Sequence, residues 1–360
     1  MTKPLVASLA AQPSASGAPS LPRVRARVAV LGASGYSGQE FTRLALAHPG
    51  LEVAQLVSRE YAGRPARELL IGSGSPEEPP VVTPAECLAA AREGAIDTIV
   101  ACLPHGAWRE LSAEFHDASP LARGVRIVDL SADFRDGGSG YLYGQPESRR
   151  DGLAGARRIA NPGCYPTAAT LALWPAIDRD FLSGPIMVSA VSGVTGAGRS
   201  ANVRNAFVER DGGAELYKAG TVHSHVSEMT RHWASARGAL MPVGFAPTVV
   251  PMARGILAVV NATLAEPLTP EQAHEQWSSS YANEPFVRVL PPGSWPDTRA
   301  VRGSNRCDVA VTTLHDGRTL LAASAIDNLV KGAAGQAIQN LNLMLGWPEP
   351  TALPVDGLPW

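Results

Sequence analysis

The chain has 360 residues, 45% of them hydrophobic and 18% charged, and a formal net charge of −2. That length suits two domains with substantial cores. The near-neutral balance gives no general attraction to nucleic acid or anionic membrane, and no run approaches the ~18 apolar residues of a membrane helix. Four cysteines, Cys87, Cys102, Cys164 and Cys307, show no C-x-x-C pairing. So few in so long a chain fit reduced thiols in a cytoplasmic compartment better than a disulfide framework.

Residues 1–22 are rich in Ala, Ser and Pro and contain no acidic residue. They read as a disordered tail or an over-long start, with an organellar transit peptide as the lesser alternative. Residues 28–31 then predict a short buried strand. Gly32-Ala33-Ser34-Gly35-Tyr36-Ser37-Gly38 follows directly, and residues 39–48 have helical spacing with Phe41, Leu44 and Ala45 on one face. Strand, glycine loop and helix in that order form the setting in which backbone N–H groups hold a pyrophosphate. An ordinary glycine turn is the alternative.

Residues 53–57 predict a second strand. Its tip reads Ser58-Arg59, without the carboxylate that usually meets a ribose 2′-hydroxyl. A hydroxyl and an arginine suit a 2′-phosphate, which favours NADP over NAD; a solvated loop charge is the alternative. Residues 96–101 and 125–130 predict further strands, followed by Leu103-Pro104-His105-Gly106 and Ser131-Ala132-Asp133-Phe134-Arg135. The alternation predicts an α/β fold with a Rossmann-like parallel sheet and ligands at the carboxyl ends of its strands. His105 either lines that site or caps a helix.

Asn161-Pro162-Gly163-Cys164-Tyr165-Pro166-Thr167 places one thiol between a Pro-Gly turn and the start of a helix. A helix N-terminus favours the thiolate. A small buried hydrophobe is the alternative, and the local sequence does not separate the two.

Beyond this point the pattern changes. Residues 186–191 predict a strand, and Ser192-Gly193-Val194-Thr195-Gly196-Ala197-Gly198-Arg199 is a second glycine-rich loop able to cradle an anion. In His223-x-His225-x-x-Glu228 the histidines would share one face of a strand. Metal binding, general acid/base chemistry and satisfied structural histidines are all open, metal being weakest because no further ligand clusters nearby. Strands at residues 255–263, 286–290, 307–314 and 319–326 predict an α+β domain with a mostly antiparallel sheet. Residues 328–346 predict a closing helix, with Ala334, Ile338, Leu341 and Leu345 at helical spacing and a stop at Gly346. The expected division is tail 1–22, cofactor domain 23–165, α+β domain 166–327, and a returning C-terminal segment 328–360.

In this order, several segments resemble the N-acetyl-γ-glutamyl-phosphate reductases of arginine biosynthesis, within the aspartate-semialdehyde dehydrogenase-like superfamily. They are the Gly32-to-Gly38 loop, Leu103-Pro104-His105-Gly106, Asp129-Leu130-Ser131-Ala132-Asp133-Phe134, Asn161-Pro162-Gly163-Cys164-Tyr165 and the Ser192-to-Arg199 loop. Val250-Pro251-Met252-Ala253-Arg254-Gly255, Gly303-Ser304-Asn305-Arg306-Cys307-Asp308 and Ile326-Asp327-Asn328-Leu329-Val330-Lys331 continue the match, which spans about residues 28–346. The resemblance implies an NADPH-linked reduction of an acyl phosphate with Cys164 as nucleophile. It implies His225, beside His223, as acid/base oriented by Glu228. Asn328 and Lys331 are expected near the nicotinamide or its phosphate, and the assembly is expected to be a homodimer or homotetramer. The family pattern carries Arg and Pro where this chain has Ser224 and Ser227. Another cation is therefore expected to meet the substrate, with Arg199, Arg204 and Arg254 as candidates. Two alternatives stand beside this reading. One is reduction of an aminoadipyl or glutamyl phosphate linked to a carrier protein. The other is a non-catalytic NADP sensor, which would need neither Cys164 nor its histidine partner.

Overall fold

The computed structural model describes residues 25–70, 72, 78–116, 124–199, 203 and 206–358. The tail 1–22 and Arg204 lie outside the described residues. Two seven-stranded sheets organise the rest. The first contains β1 (Ala26–Leu31), β2 (Leu51–Val57), β3 (Val81–Val82), β4 (Thr98–Ala101), β5 (Arg126–Asp129), β6 (Leu142–Tyr143) and β7 (Arg158–Ala160). Its spatial order is β3-β2-β1-β4-β5-β7-β6, and every pair is parallel. Parallel strands need long crossovers, so helices cover both faces and the central strands are apolar throughout. Val28, Ala29 and Val30 in β1 are accordingly inaccessible to solvent. The chain order reverses between β1 and β4, which opens a crevice at their carboxyl ends.

The second sheet contains β8 (Leu182–Ser192), β9 (Glu215–Leu216), β10 (Val243–Val249), β11 (Ile256–Leu264), β12 (Val287–Val289), β13 (Cys307–Leu314) and β14 (Thr319–Ile326). Its order is β12-β13-β14-β11-β8-β10-β9. Four of its pairs are antiparallel, while β8/β10 and β12/β13 are parallel. Burial alternates along β8: Ile186, Val188 and Ala190 face the core, while Ser183, Pro185, Met187 and Ser189 face outward. This is the period-2 signature of a sheet packed on one side.

The helix Cys164–Asp178 is buried from Tyr165 to Ile177 and lies on the inner face of the second sheet. A helix apolar all round must be covered all round, and this one packs against the second sheet, the helices Ser224–Arg237 and Pro270–Ser280, and the segment Val330–Ala334. Pro175 sits inside it and supplies no N–H to the preceding turn. The carbonyls this frees are taken by side chains: Tyr281 donates its hydroxyl to Leu171 O at 2.6 Å, and Trp277 Nε1 donates to Ala172 O at 2.8 Å. The proline therefore leaves no buried acceptor orphaned on that turn.

Two segments differ from the sequence expectation. Ser224–Arg237 is a helix, not a strand, with His223 as its N-cap. The His223 Nδ1 accepts the His225 N–H at 3.1 Å, the role a Ser or Asp side chain usually fills. The closing helix is also irregular: Val330–Ala334 forms a π turn before the α-helix Gly335–Met344. Its Val330, Ala334, Ile338 and Leu341 pack with Val28, Val30 and Phe41 of the first sheet's core. Among the described residues no helix is long and apolar enough to cross a membrane.

Candidate active site

The carboxyl ends of β1, β4, β5 and β7 converge on a cleft of about 760 Å³, closed from the other side by residues 195–199 and by Asn328, Leu329, Gly332 and Ala333. Gly32, Ser34, Gly35, Tyr36 and Ser37 line one wall. Gly32 adopts φ +72°, and a Cβ there would stand 2.4 Å from Cys102 O. A Cβ on Gly38 would stand 2.4 Å from Gly32 O. The helix Tyr36–Leu46 starts at Gly35 with no side-chain cap and no acidic residue in its first turn. Bare N–H groups at an uncapped helix start form a site for an anion, and the chain can approach it closely only because it lacks Cβ atoms. These residues fit a dinucleotide.

The tip of β2 is arranged differently from the expectation. Ser58 is buried, its Oγ accepting Tyr61 N–H at 3.4 Å, and Arg59 is exposed and does not line the cleft. Glu60 and Tyr61 line it instead, so a carboxylate does stand at this wall, one residue beyond the pair read from the strand end. Leu103, Pro104 and His105 line the next wall. His105 is not the cap of the following helix. Asp133 takes that part, accepting from Gly106 N at 2.6 Å and Arg109 N at 2.9 Å, while His105 Nδ1 accepts from Ala132 N at 2.9 Å.

Cys164 is the first residue of its helix, at the floor of the cleft directly after β7. Gly163 is its N-cap in extended conformation, φ −68° and ψ 152°, so the Pro-Gly pair makes no left-handed turn. Two glycines let other elements close on the thiol. A Cβ on Gly332 would lie 2.8 Å from Cys164 Cβ. A Cβ on Gly163 would lie 2.6 Å from His225 Nε2 and 2.8 Å from an Arg135 nitrogen. The thiol and His225 thus line one cleft, with His225 packed close against Gly163, the residue before the thiol.

The electrostatics correct one expectation. The helix start and Arg135 both favour the thiolate, but burial outweighs them and pushes the Cys164 thiol up to about 11. In the free protein it is a thiol. Burial, reinforced by Arg135 and His223, also holds His225 well below the ordinary histidine range. His225 is therefore a neutral imidazole at pH 7, and among the described residues its buried Nδ1 has no hydrogen-bond partner. A neutral imidazole and a protonated thiol lining one cleft form the starting state of a base-assisted nucleophile.

Glu228 does not orient His225. Its carboxylate accepts from Arg135 at 2.9 Å, from Tyr143 OH at 2.9 Å and from Gly163 N–H at 2.8 Å. It fixes the backbone that presents Cys164. Arg135 was not singled out from the sequence, yet it is central. Its buried guanidinium also donates to Asn161 O and Leu130 O, both at 2.9 Å, and lines the cleft. Its partner Glu228 is 93 residues away, so no local pattern announces the pair.

Four further expectations are corrected or placed. Lys331 does not face the cleft: it is fully buried, donating to Glu147 at 2.6 Å and Gln339 at 2.7 Å. Asn328 does line the cleft, its Nδ2 donating to Thr195 Oγ1 at 3.0 Å. Arg254 lines a different cavity, held by Glu40 at 2.8 Å and Asp327 at 3.6 Å. Arg199 lines the cleft and donates to Ser34 O at 2.8 Å, which ties the second glycine loop to the first. Ser224 and Ser227 are exposed, and the Ser227 hydroxyl bonds back to Ser224 O. Among the described residues, Glu147, Glu284 and Glu349 bring three carboxylates within 4.8 Å, but Arg150 and Lys331 bridge them.

Residues 27–156 match the family described as semialdehyde dehydrogenase, NAD binding domain, and residues 164–328 match semialdehyde dehydrogenase, dimerisation domain. A relative from Geobacter metallireducens named N-acetyl-gamma-glutamyl-phosphate reductase is 39% identical, over 92% of this chain and 98% of its own. One of the same name from Thermus thermophilus is 41% identical, over 91% and 99%. Among solved structures, aspartate semialdehyde dehydrogenase II of Vibrio cholerae with ASA superposes with TM-score 0.70 at 18% identity, over 89% of this chain and 98% of that one. The Candida albicans aspartate semialdehyde dehydrogenase with NADP gives 0.70 at 15%, over 89% and 98%. The likeness to these structures carries the fold; the sequence matches carry the family. The chain belongs to the N-acetyl-gamma-glutamyl-phosphate reductase family of semialdehyde dehydrogenases.

Proposed function

We propose that this chain reduces N-acetyl-γ-glutamyl phosphate to N-acetylglutamate semialdehyde and phosphate, with NADPH, through a thioester on Cys164, as a step of arginine biosynthesis. The observation that carries the reading is the meeting of Cys164, neutral His225 and an uncapped glycine cradle in one cleft. Sulfur attacks the acyl carbon while His225 takes the thiol proton. The bond from that carbon to the phosphate oxygen breaks, and phosphate leaves. NADPH held by the Gly32-to-Gly38 cradle would supply the hydride for the thioester carbon. When the carbon–sulfur bond then breaks to release the aldehyde, His225 returns its proton to sulfur. Arg135 and the N–H groups opening the Cys164 helix face the carbonyl and phosphate oxygens, where negative charge grows.

The choice of NADP rests on exposed Arg59 at the tip of β2, with Glu60 beside it as the competing influence. Arg59→Ala is expected to raise the KM for NADPH and leave that for NADH unchanged. A homodimer or homotetramer built on the outward face of the second sheet accommodates Met187, which is 52% exposed. Light scattering of the purified protein reads that state. The four free cysteines suit a reducing cytoplasmic compartment. The functional test is the reverse reaction, semialdehyde plus phosphate plus NADP⁺, followed as NADPH absorbance. Activity that requires a carrier-linked substrate instead would overturn the assignment of the acetylated one.

A further inference from the structure

The segment Met252-Ala253-Arg254-Gly255, between β10 and β11, does no chemistry in the steps above, yet three walls of the cleft are fastened to it. The second glycine loop is one. Val194 N–H donates to Met252 O at 2.9 Å, Gly193 N–H to Gly255 O at 3.0 Å, and the Thr195 hydroxyl to Ala253 O at 2.7 Å. The approach is this close because position 193 lacks a Cβ, which would stand 2.8 Å from both Met252 O and Ala253 O. The start of the closing segment is another: Gly255 N–H donates to Asn328 Oδ1 at 2.8 Å. The glycine cradle is the third, and a side chain reaches it. Arg254 Nη2 donates at 2.8 Å to Glu40, which lies on the helix Tyr36–Leu46 just past Gly38. Its Nη1 stands 3.6 Å from Asp327.

Both carboxylates are buried, and both have other partners. Glu40 also binds Arg43 at 2.6 Å. Asp327 accepts N–H groups from Leu329 at 2.8 Å, Val330 at 3.2 Å and Gly303 at 2.7 Å. What Arg254 adds is the span between them, for which the planar fork of a guanidinium is suited. Phe41 on the same helix packs with Val330 and Ala334. Apolar burial of that kind has no direction, whereas a forked hydrogen-bonded pair fixes register.

The span crosses a particular gap. The helix bearing Glu40 carries the cradle at its start. Asp327 opens the turn that sets Asn328, Leu329 and Gly332 on the cleft wall, and a Cβ at position 332 would lie 2.8 Å from Cys164 Cβ. Arg254 thus bridges the wall that fits a dinucleotide and the wall packed against the nucleophile. A hydride must cross between these two walls. Arg135, which serves the acyl phosphate, is held elsewhere, by Glu228, Asn161 and Leu130.

We propose that Arg254 is a positioning residue for the hydride step, setting the distance between the cradle and the Cys164 wall from outside the cleft. This rests on the function proposed above. Acylation of Cys164 needs one wall alone and is indifferent to that distance.

The test separates the two half-reactions in Arg254→Met, Arg254→Lys and Glu40→Gln. Arg254→Met leaves Glu40 on Arg43 and Asp327 on its backbone donors, so no buried charge is stranded. Acylation is read without cofactor, as the rate of the phosphate burst from the acyl phosphate, and should match wild type. The hydride step is read by mixing acylated protein with NADPH, or with NADPH deuterated at the transferred position, in stopped flow. In Arg254→Met it should slow about 10- to 100-fold, the cost of a misplacement near 1 Å. The kcat should then carry the full deuterium isotope effect of that step. NADP⁺ affinity by fluorescence titration should stay near wild type, because the cradle backbone is untouched. Arg254→Lys, which keeps the charge but reaches one partner, should recover part of the rate. Glu40→Gln, at the other end of the bridge, should give the same pattern more mildly. A burst slowed as much as the hydride step would mean a general structural role and would overturn the proposal. So would a hydride step at the wild-type rate, or a loss confined to NADP⁺ affinity. Absence of a burst in the wild type would instead strike the underlying function.

Discussion

Replacing Gly163 by alanine puts one methyl group between the acid/base and the nucleophile's own backbone. Gly163 has an ordinary extended φ of −68°, so alanine strains nothing locally and the effect is purely one of space. The new Cβ would stand 2.6 Å from His225 Nε2 and 2.8 Å from Arg135. One of them must withdraw by roughly 0.8 Å to restore van der Waals contact. Arg135 is fixed by three hydrogen bonds, to Glu228, Asn161 and Leu130. His225 has an unpartnered Nδ1 and yields first. Overpacking of this kind costs about 1–3 kcal/mol of stability. A displacement near 1 Å in a reacting pair costs about 100-fold in rate. The assay is kcat in the reverse direction beside thermal unfolding and NADP⁺ titration by fluorescence. The expected result is a kcat about 100-fold down with cofactor affinity intact. A variant within threefold of wild-type kcat would refute the claim that His225 works across Gly163.

Lys331→Met leaves Glu147 charged and buried without its cation. Chemical denaturation should show a loss of about 3–5 kcal/mol, partly restored by adding Glu147→Gln, with NADP⁺ affinity unaffected in whatever folds. Burial lowers His48, His105, His223, His225 and His232, the last to about 3, so these bind protons in the unfolded chain well before the native one. Unfolding free energy should therefore fall as pH drops below about 6.5, by up to about 1.4 kcal/mol per unit for each such histidine. His232→Gln should flatten that slope; the carboxylates Glu40 and Glu147, held low by their cations despite burial, add their loss only at lower pH. Because burial pushes the Cys164 thiol to about 11, its alkylation by a neutral reagent should still be accelerating between pH 8 and 10. A plateau below pH 8 would mean that the helix start outweighs burial.

What the sequence revealed was what is local. The glycine loop, the strand that feeds it and the thiol after Asn161-Pro162-Gly163 are each written in adjacent residues, and the structure brings all three to one cleft. The histidine segment was misread because His-x-His alternates as strand faces do. The deciding feature was His223 acting as its own N-cap, an unusual choice of residue. Lys331 was misplaced by a π turn: the bonds from Gly332 N to Asp327 O and Ala334 N to Leu329 O each span five residues. That wider turn leaves Asn328, Gly332 and Ala333 toward the cleft and Lys331 on the opposite side. Arg135 was invisible because its meaning depends on Glu228 and Gly163, which only tertiary folding brings near. Helix-start electrostatics were legible at Cys164, but the burial that overrides them was not.

The covalent role of Cys164 is the central claim, and one measurement addresses it directly. The protein is mixed with the acyl phosphate in the absence of NADPH, and phosphate release is followed by rapid quench. The account predicts a burst of one phosphate per active site, an acyl adduct on the Cys164 peptide by mass spectrometry, and neither in Cys164→Ser. Steady phosphate release without a burst, or an adduct that survives in Cys164→Ser, would contradict it.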